Sequence, residues 1–446
     1  MNIAVLGGGK EGTAVKNYFE KKGDHVQIFD KFEDSDIPGF KLEDYDKVFR
    51  SPSVHPQFVL PEEFRGNSTD WTSMTKYFFD NCKAKIIGVT GTKGKGTTCS
   101  FITSILRSLI RHSKWPSRRV FLVGNIGNPC IESLDEISED DIVVFEMSSF
   151  QLWDLEKSPN VAVILRIGED HLDRHLNLDD YVNAKGNIAK YQNTEDYCVY
   201  YSENEKSTEL ANKSAGTKVS YPVAKTDRIE EILNSVQIPG EHNKENAEAA
   251  LLATSSFYKQ DLNSFLSDDN NFEAVKEGVI DFKGLPHRLQ FVRELNGIKY
   301  YDDNYSSAFP ATDVALKTFE DHPTILIAGG KDRHLDLTEM KSRFFSAKNL
   351  RKLILIGETK TLLAENEDPE KYEFAETLEE AVEKAKAAAE TIADQELSDF
   401  DLCIPREDSE RKEPIVLMSP GAASFDMFEN FEDRGTKYQK IVNELK

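Results

Sequence analysis

The sequence predicts an α/β protein of about three domains, and three observations carry that prediction. The chain has 446 residues, and at roughly 150 residues per domain this length supports three cores rather than one. Short apolar runs alternate with stretches of helical period, the rhythm of strands buried in a mostly parallel sheet. The strand, glycine turn and helix pattern also begins afresh, at Lys85 and again after the GLPHRL segment at Gly284. The predicted domains are therefore 1–84, 85–284 and 285–446.

Hydrophobic residues make up 39% of the chain and charged residues 30%, a balance that offsets chain entropy and excludes global disorder. The formal charge of −23 repels polyanions, so a general nucleic-acid binder is disfavoured. The longest apolar runs, such as Val161 to Leu165, are far too short to span a bilayer, and MNIAVLGGGK lacks the apolar length of an export signal. Cys82, Cys99, Cys130, Cys198 and Cys403 are scattered without CxxC spacing, which suggests neither a disulfide framework nor a zinc cluster. A reducing cytoplasmic setting and no membrane partner are expected.

The opening IAVLGGG reads as a buried strand entering a glycine turn, followed by a helix through Phe19 and a second strand, HVQIFD, ending at Asp30. Gly7-Gly8-Gly9-Lys10-Glu11-Gly12 thus forms a GxGxxG between strand and helix. Glycines let backbone approach a pyrophosphate, the helix N-terminus attracts its charge, and Asp30 can accept a ribose hydroxyl. The motif alone indicates a nucleotide, with NAD the usual guess or a ligand-free turn the plain alternative. Only about 85 residues precede the next glycine loop, fewer than two mononucleotide-binding halves occupy.

That second loop is the stronger signal. In the segment from Gly88 to Thr98, the strand IIGVT delivers Gly91, Thr92, Lys93, Gly94, Lys95, Gly96 and Thr97 to a helix marked by Phe101, Ile105, Leu106 and Leu109. Backbone N–H groups of such a loop wrap a phosphate, and Lys95 supplies a point charge to the β/γ oxygens. Lys83, Lys85, Lys93 and Lys95 concentrate positive charge here in an acidic chain. The usual hydroxyl residue after the lysine is Gly96, which leaves Thr97 or other groups to meet a metal. Glu146 ends the strand DIVVFE and His171 follows VAVILRI. Taken singly, one is a solvated strand end and the other a packing histidine. At the carboxyl edge of one parallel sheet they become a carboxylate and imidazole fit for Mg²⁺ or Mn²⁺.

Further strands are expected at VFLVG and YCVYY, and in the last domain at FVREL, IKYYDD, TILIAGG, KLILIG and IVLMS. A helix is predicted from Leu378 to Asp394 and a solvated loop from Gln395 to Pro414.

The segments GVTGTKGKGTT, VGNIGNP, FEMSSFQL, RIGEDHLDRH, GEHNKENAEAA, GLPHRLQFV, YYDD, IAGGKDRHLDL and SPGAASFDMFENFEDRG occur in one order from about Lys85 to Gly435. Together they resemble the Mur ligase family. The resemblance implies a Rossmann-like UDP-binding domain, a central P-loop ATPase domain with a mostly parallel sheet, and a C-terminal Rossmann-like α/β domain that binds an amino acid. It also implies a reaction of cytoplasmic peptidoglycan precursor synthesis: ATP phosphorylates the carboxylate of UDP-N-acetylmuramoyl-L-alanine, and the amine of D-glutamate attacks the acyl phosphate. ATP, two magnesium ions and a monomer acting on small molecules are the cofactor and partner expectations.

By the same resemblance, Lys95, Glu146, His171 and Lys185 form the catalytic set. Glu146, His171 and Thr97 would hold magnesium, and Lys185, carried as a carbamate, would bridge or orient it. Read without the resemblance, Lys185 is a solvated helix residue. Asn243 and Asn246 would contact adenine, and Arg288 and Asp303 would grip the nucleotide. Gly9, Gly12, Asp30, Lys31 and the Ser51-Pro52 loop would meet the UDP moiety, with Asn125 and Ser148 lining the acyl and metal region. Ser307, Arg333, Ser424 and Phe431 would form the amino-acid pocket, where Arg333 and Tyr305 stand at positions at which the family commonly has lysine. A folylpolyglutamate-type ligase shares the phosphate loop but has no need of the first glycine unit. An NAD-dependent oxidoreductase fused to an NTPase domain and an inactive nucleotide-binding protein are the readings from other classes.

Overall fold

The computed structural model describes residues 1–30, 37, 39–56, 70–113, 117–402 and 412–446, without the side chains of 395–402. Lys31, expected to contact UDP, lies outside the described residues. The chain divides into two compact units: Met1–Val236 with His242–Phe282, and Gln237–Glu241 with Lys283–Lys446.

The first unit contains two wholly parallel sheets. In the first, β1 (Asn2–Leu6), β2 (His25–Phe29), β3 (Lys47–Arg50) and β4 (Asp70–Ser73) lie in the order β2-β1-β3-β4. Ile3 and Val5 pack against Ala14, Val15 and Phe19 of the helix Lys10–Lys21, while Ala4 and Leu6 pack with Phe29 and Leu42 in a separate cluster. Burial on both faces explains why the opening strand reads as a continuous apolar run. Four strands amount to one mononucleotide-binding half and a flank, short of a complete dinucleotide fold.

The second sheet holds β5 (Lys85–Thr90), β6 (Val120–Gly124), β7 (Ile142–Glu146), β8 (Val161–Ile164), β9 (Tyr197–Tyr201) and β10 (Thr217–Tyr221). Their order is β10-β9-β8-β5-β7-β6. The chain passes first to one side of β5 and then to the other, so strand order reverses at β5. Ligands of open parallel sheets settle outside the carboxyl ends at such a reversal.

The second unit is built on one mixed sheet of β11 (Gln290–Leu295), β12 (Ile298–Asp302), β13 (Thr324–Gly329), β14 (Leu350–Ile356), β15 (Tyr372–Phe374) and β16 (Ile415–Met418), in the order β11-β12-β16-β13-β14-β15. Only the β11–β12 pair is antiparallel, closed by Asn296 and Gly297 at φ 54 and 76, the left-handed pair that a two-residue hairpin demands.

The loop expected from Gln395 to Pro414 is corrected in its first part. The helix Leu378–Leu402 runs through it, because no proline or glycine interrupts QELSDFDL and acidic composition alone does not stop a helix. Residues 403–411 lie outside the described residues. The strands β3, β4, β10 and β15 were not anticipated; all are short, and β10 and β15 are edge strands whose partial exposure weakens the apolar signal.

Candidate active site

The phosphate loop leaves β5 at Thr90 and enters the helix Lys95–His112. Gly94, at φ 86, is the residue that caps this helix, and a Cβ there would lie 2.4 Å from Asn246 Oδ1. A Cβ on Gly91 would lie 2.7 Å from the Leu165 side chain. Both positions therefore require glycine, one for its left-handed backbone and both for space. The result is a helix N-terminus with its N–H groups directed along the turn, an arrangement that favours anions.

The turn is fastened to the loop that follows β8. Thr92 N–H donates to Arg166 O at 3.0 Å, Gly168 N–H donates to Thr92 Oγ1 at 2.8 Å, and that hydroxyl lies 3.0 Å from Tyr181 OH. Lys95 Nζ donates to the carbonyls of Gly91 and Thr92, each at 3.0 Å. Lys185 Nζ donates to the same Gly91 carbonyl at 2.9 Å. The two amines are thus neighbours at one oxygen.

Lys185 projects from the helix Leu178–Lys190 and is 1% exposed. Burial holds its amine well below the usual lysine range, and the adjacent Lys95 charge lowers it further against the opposing fields of Asp170 and Glu146, so its neutral form is favoured. The sequence-only reading of Lys185 as a solvated helix residue is corrected: the helix turns this position inward, as its spacing from buried Tyr181 and Ile188 permits.

Glu146 closes β7 directly beside Val89 of β5, and it is 5% exposed. Asn125 touches it twice, through its backbone N–H to Glu146 O at 3.2 Å and through Nδ2 to Oε1 at 3.3 Å. His171 lies beyond the opposite neighbour of β5, in the left-handed region at φ 55 and half-exposed. Its ring packs 5.0 Å from that of Phe150, which belongs to the segment following Glu146. The loops carrying Glu146 and His171 therefore meet at the carboxyl edge, alongside the phosphate loop. Lys93, largely exposed, approaches Asp170 at 3.5 Å. Thr97 is buried one turn into the helix. Among the described residues no group of three or more His, Cys, Asp or Glu gathers as a metal cage.

Ser148 caps the short helix Ser149–Leu152 in a reciprocal box with Gln151. Gln151 Nε2 in turn donates to Glu11 Oε1 at 2.6 Å, which joins the first glycine motif to the segment after β7. Oε2 of Glu11 is buried and has no hydrogen-bond partner among the described residues, and burial pushes the carboxyl up to about 7. In the same motif Asp30 accepts from Gly8 N–H at 2.7 Å, and Ser51 Oγ donates to Gly7 O at 2.7 Å. A Cβ on Gly12 would fall 2.0 Å from Gly7 O, whereas Gly9 faces open space. Asn243 is buried, and Asn246 Nδ2 lies 3.4 Å from its Oδ1. Thr98 Oγ1 donates to Asn246 Oδ1 at 3.3 Å, so these asparagines stand beside the start of the phosphate helix.

In the second unit Asp303 is buried and accepts from Ser306 Oγ at 2.5 Å, Ser419 Oγ at 2.6 Å and Leu289 N–H at 3.1 Å; burial raises its carboxyl to about 6 against these bonds. It thereby ties the Arg288 turn to β12 and β16. Ser307 and Arg333 are exposed, Ser424 is buried, and Phe431 opens the helix Phe431–Glu444 behind its cap Asn430. These residues follow β12, β13 and β16, three adjacent strands of one sheet.

The Mur ligase middle domain matches residues 89–254, the span from the end of β5 past Asn246. A UDP-N-acetylmuramoylalanine–D-glutamate ligase of Clostridium kluyveri is 33% identical, over 99% of this chain and 96% of its own. The chain belongs to the Mur ligase family. Two solved structures of similar fold are a MurF ligase of Thermotoga maritima in complex with ADP, with a TM-score of 0.54, 14% identity and 99% and 95% of the two chains covered, and a Mycobacterium tuberculosis folylpolyglutamate synthase complexed with ADP, with a TM-score of 0.55, 12% identity and 84% and 94% covered. At these identities they establish the fold alone.

Four residues at this Mur ligase centre escaped sequence reasoning. Asp170 adjoins His171 and faces both Lys93 and Lys185, and its signal was the acidic pair in GEDH. Tyr181 precedes Lys185 by one helical turn. Glu11 lies inside the first glycine motif and Gln151 inside FEMSSFQL, but their contact joins segments 140 residues apart and no local pattern announces it.

Proposed function

We propose that this chain is an ATP-dependent amide ligase of peptidoglycan precursor synthesis that joins D-glutamate to UDP-N-acetylmuramoyl-L-alanine. The observation that carries the reading is the meeting of Lys95 and Lys185 at the Gly91 carbonyl, on the carboxyl edge where Glu146 and His171 flank β5. A carboxylate is a poor acyl donor, so amide formation needs a better leaving group. Phosphoryl transfer from ATP supplies one, and the charge on the transferring group is met by the loop N–H groups and by Lys95. Lys95 exchanges its two carbonyl acceptors for phosphoryl oxygens. The amine of D-glutamate then attacks the acyl phosphate, forming the amide and releasing phosphate.

Magnesium fits the donors present, because it is held through one or two carboxylates together with phosphate oxygens and water rather than by an all-protein cage. Bound there, it would neutralise charge on the phosphates; Glu146 and His171 would hold it, with Thr97 and a carbamylated Lys185 as further contributors. Burial shifts the Lys185 amine toward its neutral form, the form of an amine that adds CO₂, and the product is an anion suited to orient a cation where an ammonium is not. Asn243 and Asn246 serve adenine, Arg288 and Asp303 the nucleotide, and Ser307, Arg333, Ser424 and Phe431 the amino acid. Gly9, Gly12, Asp30, Ser51, Asn125 and Ser148 serve the UDP substrate. A cytoplasmic monomer with domains 1–84, 85–284 and 285–446 completes the reading; no described helix is long and apolar enough to cross a membrane.

The test is ADP release in the presence of UDP-N-acetylmuramoyl-L-alanine, magnesium, bicarbonate and a panel of amino acids. Stimulation by D-glutamate above every other amino acid is expected. Equal rates with and without any amino acid would refute the ligase assignment.

A further inference from the structure

Arg288 is held in an unusual way. Its neighbours His287 and Leu289 both lie in the left-handed region, at φ 60 and 42, so the backbone turns sharply on each side of it. His287 is kept there by a 2.7 Å bond from Nδ1 to the fully buried Asp302, and Leu289 by the bond from its N–H to Asp303. The side chain is fixed by different means. Its guanidinium carbon lies 3.7 Å from the centroid of the Tyr305 ring, and Tyr305 meets Phe431 edge to face at 5.2 Å and 83°. The Tyr305 N–H donates to His287 O at 2.9 Å, which fixes the ring's base to the same turn.

A cation stacked on a ring uses the flat face of the guanidinium and leaves the N–H donors around its edge unengaged. Among the described residues no carboxylate pairs with Arg288, in a chain whose formal charge is −23 and where acidic partners are abundant. Tyr305 itself remains 46% exposed, so the stack is reached from solvent. The pair presents a preformed fork of donors on an aromatic base, the geometry that grips an anionic oxygen pair with little ordering cost on binding.

We propose that Tyr305 is a positioning residue for Arg288: its ring, braced by Phe431, holds the guanidinium so that its edge donors are set in advance for phosphate oxygens of the nucleotide. This rests on the assignment of Arg288 to the nucleotide made above. The role belongs to the ring and not to the phenol hydroxyl.

The experiment measures the ATP dissociation constant of the full chain by titration calorimetry for the wild type, Tyr305→Phe, Tyr305→Leu, Arg288→Ala and the Arg288→Ala/Tyr305→Leu double variant, with the rate of phenylglyoxal labelling at Arg288 read by mass spectrometry. Tyr305→Phe is expected to stay within twofold of wild type in both readouts. Tyr305→Leu is expected to weaken ATP about fivefold, equivalent to about 1 kcal/mol of cation–π stacking, and to speed labelling. In the Arg288→Ala background it should have no further effect. An equal loss from Tyr305→Leu in both backgrounds, or a Phe variant as weak as the Leu variant, would overturn the positioning role while leaving the nucleotide assignment standing. If Arg288→Ala binds ATP like wild type, the nucleotide assignment fails and the positioning role falls with it, and unchanged labelling in Tyr305→Leu would show that the ring does not hold the arginine at all.

Discussion

Replacing Gly435 by alanine sets two effects of opposite sign against each other. Gly435 lies inside the helix Phe431–Glu444, where alanine is favoured over glycine by about 1 kcal/mol. A Cβ at this position, however, would stand 2.1 Å from His287 Nδ1 and 2.6 Å from its Cε1, well inside contact distance. His287 has little freedom to yield. It is buried, left-handed, and bonded to Asp302, whose other acceptor contacts are Asn304 and Gln439. Moving the ring strips a charged buried acceptor of one donor, a loss of about 3 kcal/mol by analogy with broken buried pairs. The net expectation is a destabilisation of about 2 kcal/mol. Hydrogen exchange by mass spectrometry on the intact chain reads this locally, and protection of amides in Phe431–Glu444 should fall roughly thirtyfold. Because His287 adjoins Arg288, ATP affinity should fall as well. A variant whose helix gains protection would show that propensity prevails and that the imidazole is not fixed as described.

Three further outcomes are expected. Lys95→Ala should lower ADP release by at least about a thousandfold, since it removes the amine that bonds both loop carbonyls and exchanges them for phosphoryl oxygens; a loss under tenfold in steady-state assays would contradict that role. Lys185→Ala should also lose activity, with partial recovery in millimolar acetate or formate as a replacement anion, and a fully active variant would refute the carbamate. Glu11→Gln should change the pH dependence of stability. A carboxyl raised by burial to about 7 keeps its proton when folded and loses it when unfolded, so its contribution is intact below the ordinary glutamate range and lost as pH rises through 7. Urea melts should show the variant more stable than wild type by about 3 kcal/mol at pH 8 and similar near pH 4; parallel curves would exclude a buried acid there.

Much of this architecture could be read from one chain because its signals are local. β1, β5, β7, β8 and β13 are each buried along most of their length, so they read as unbroken apolar runs, and the glycines at 91 and 94 stand where only backbone and small space are tolerated. Glu146 and His171 could be assigned to one edge because a parallel sheet sends all its strand ends the same way. What escaped depends on long-range contact. Nothing near Lys185 in the sequence reveals that its amine reaches Gly91, 94 positions earlier. The edge strand β10 shows mainly exposed residues and has little apolar pattern to detect. Acidic, serine-containing composition after Asp394 suggests a loop, yet no glycine or proline breaks the helix before Leu402.

The amine of Lys95 donates to the carbonyls of Gly91 and Thr92. An incoming ion must therefore displace two good acceptors before it gains anything from that charge. Chloride and other weakly basic monovalent ions lose this competition, whereas a triphosphate offers several strong acceptors at once to the turn and the amine together. Discrimination among the cell's anions thus arises partly from the loop serving as its own rival ligand, and it should persist at salt concentrations that would swamp a simple cluster of exposed lysines.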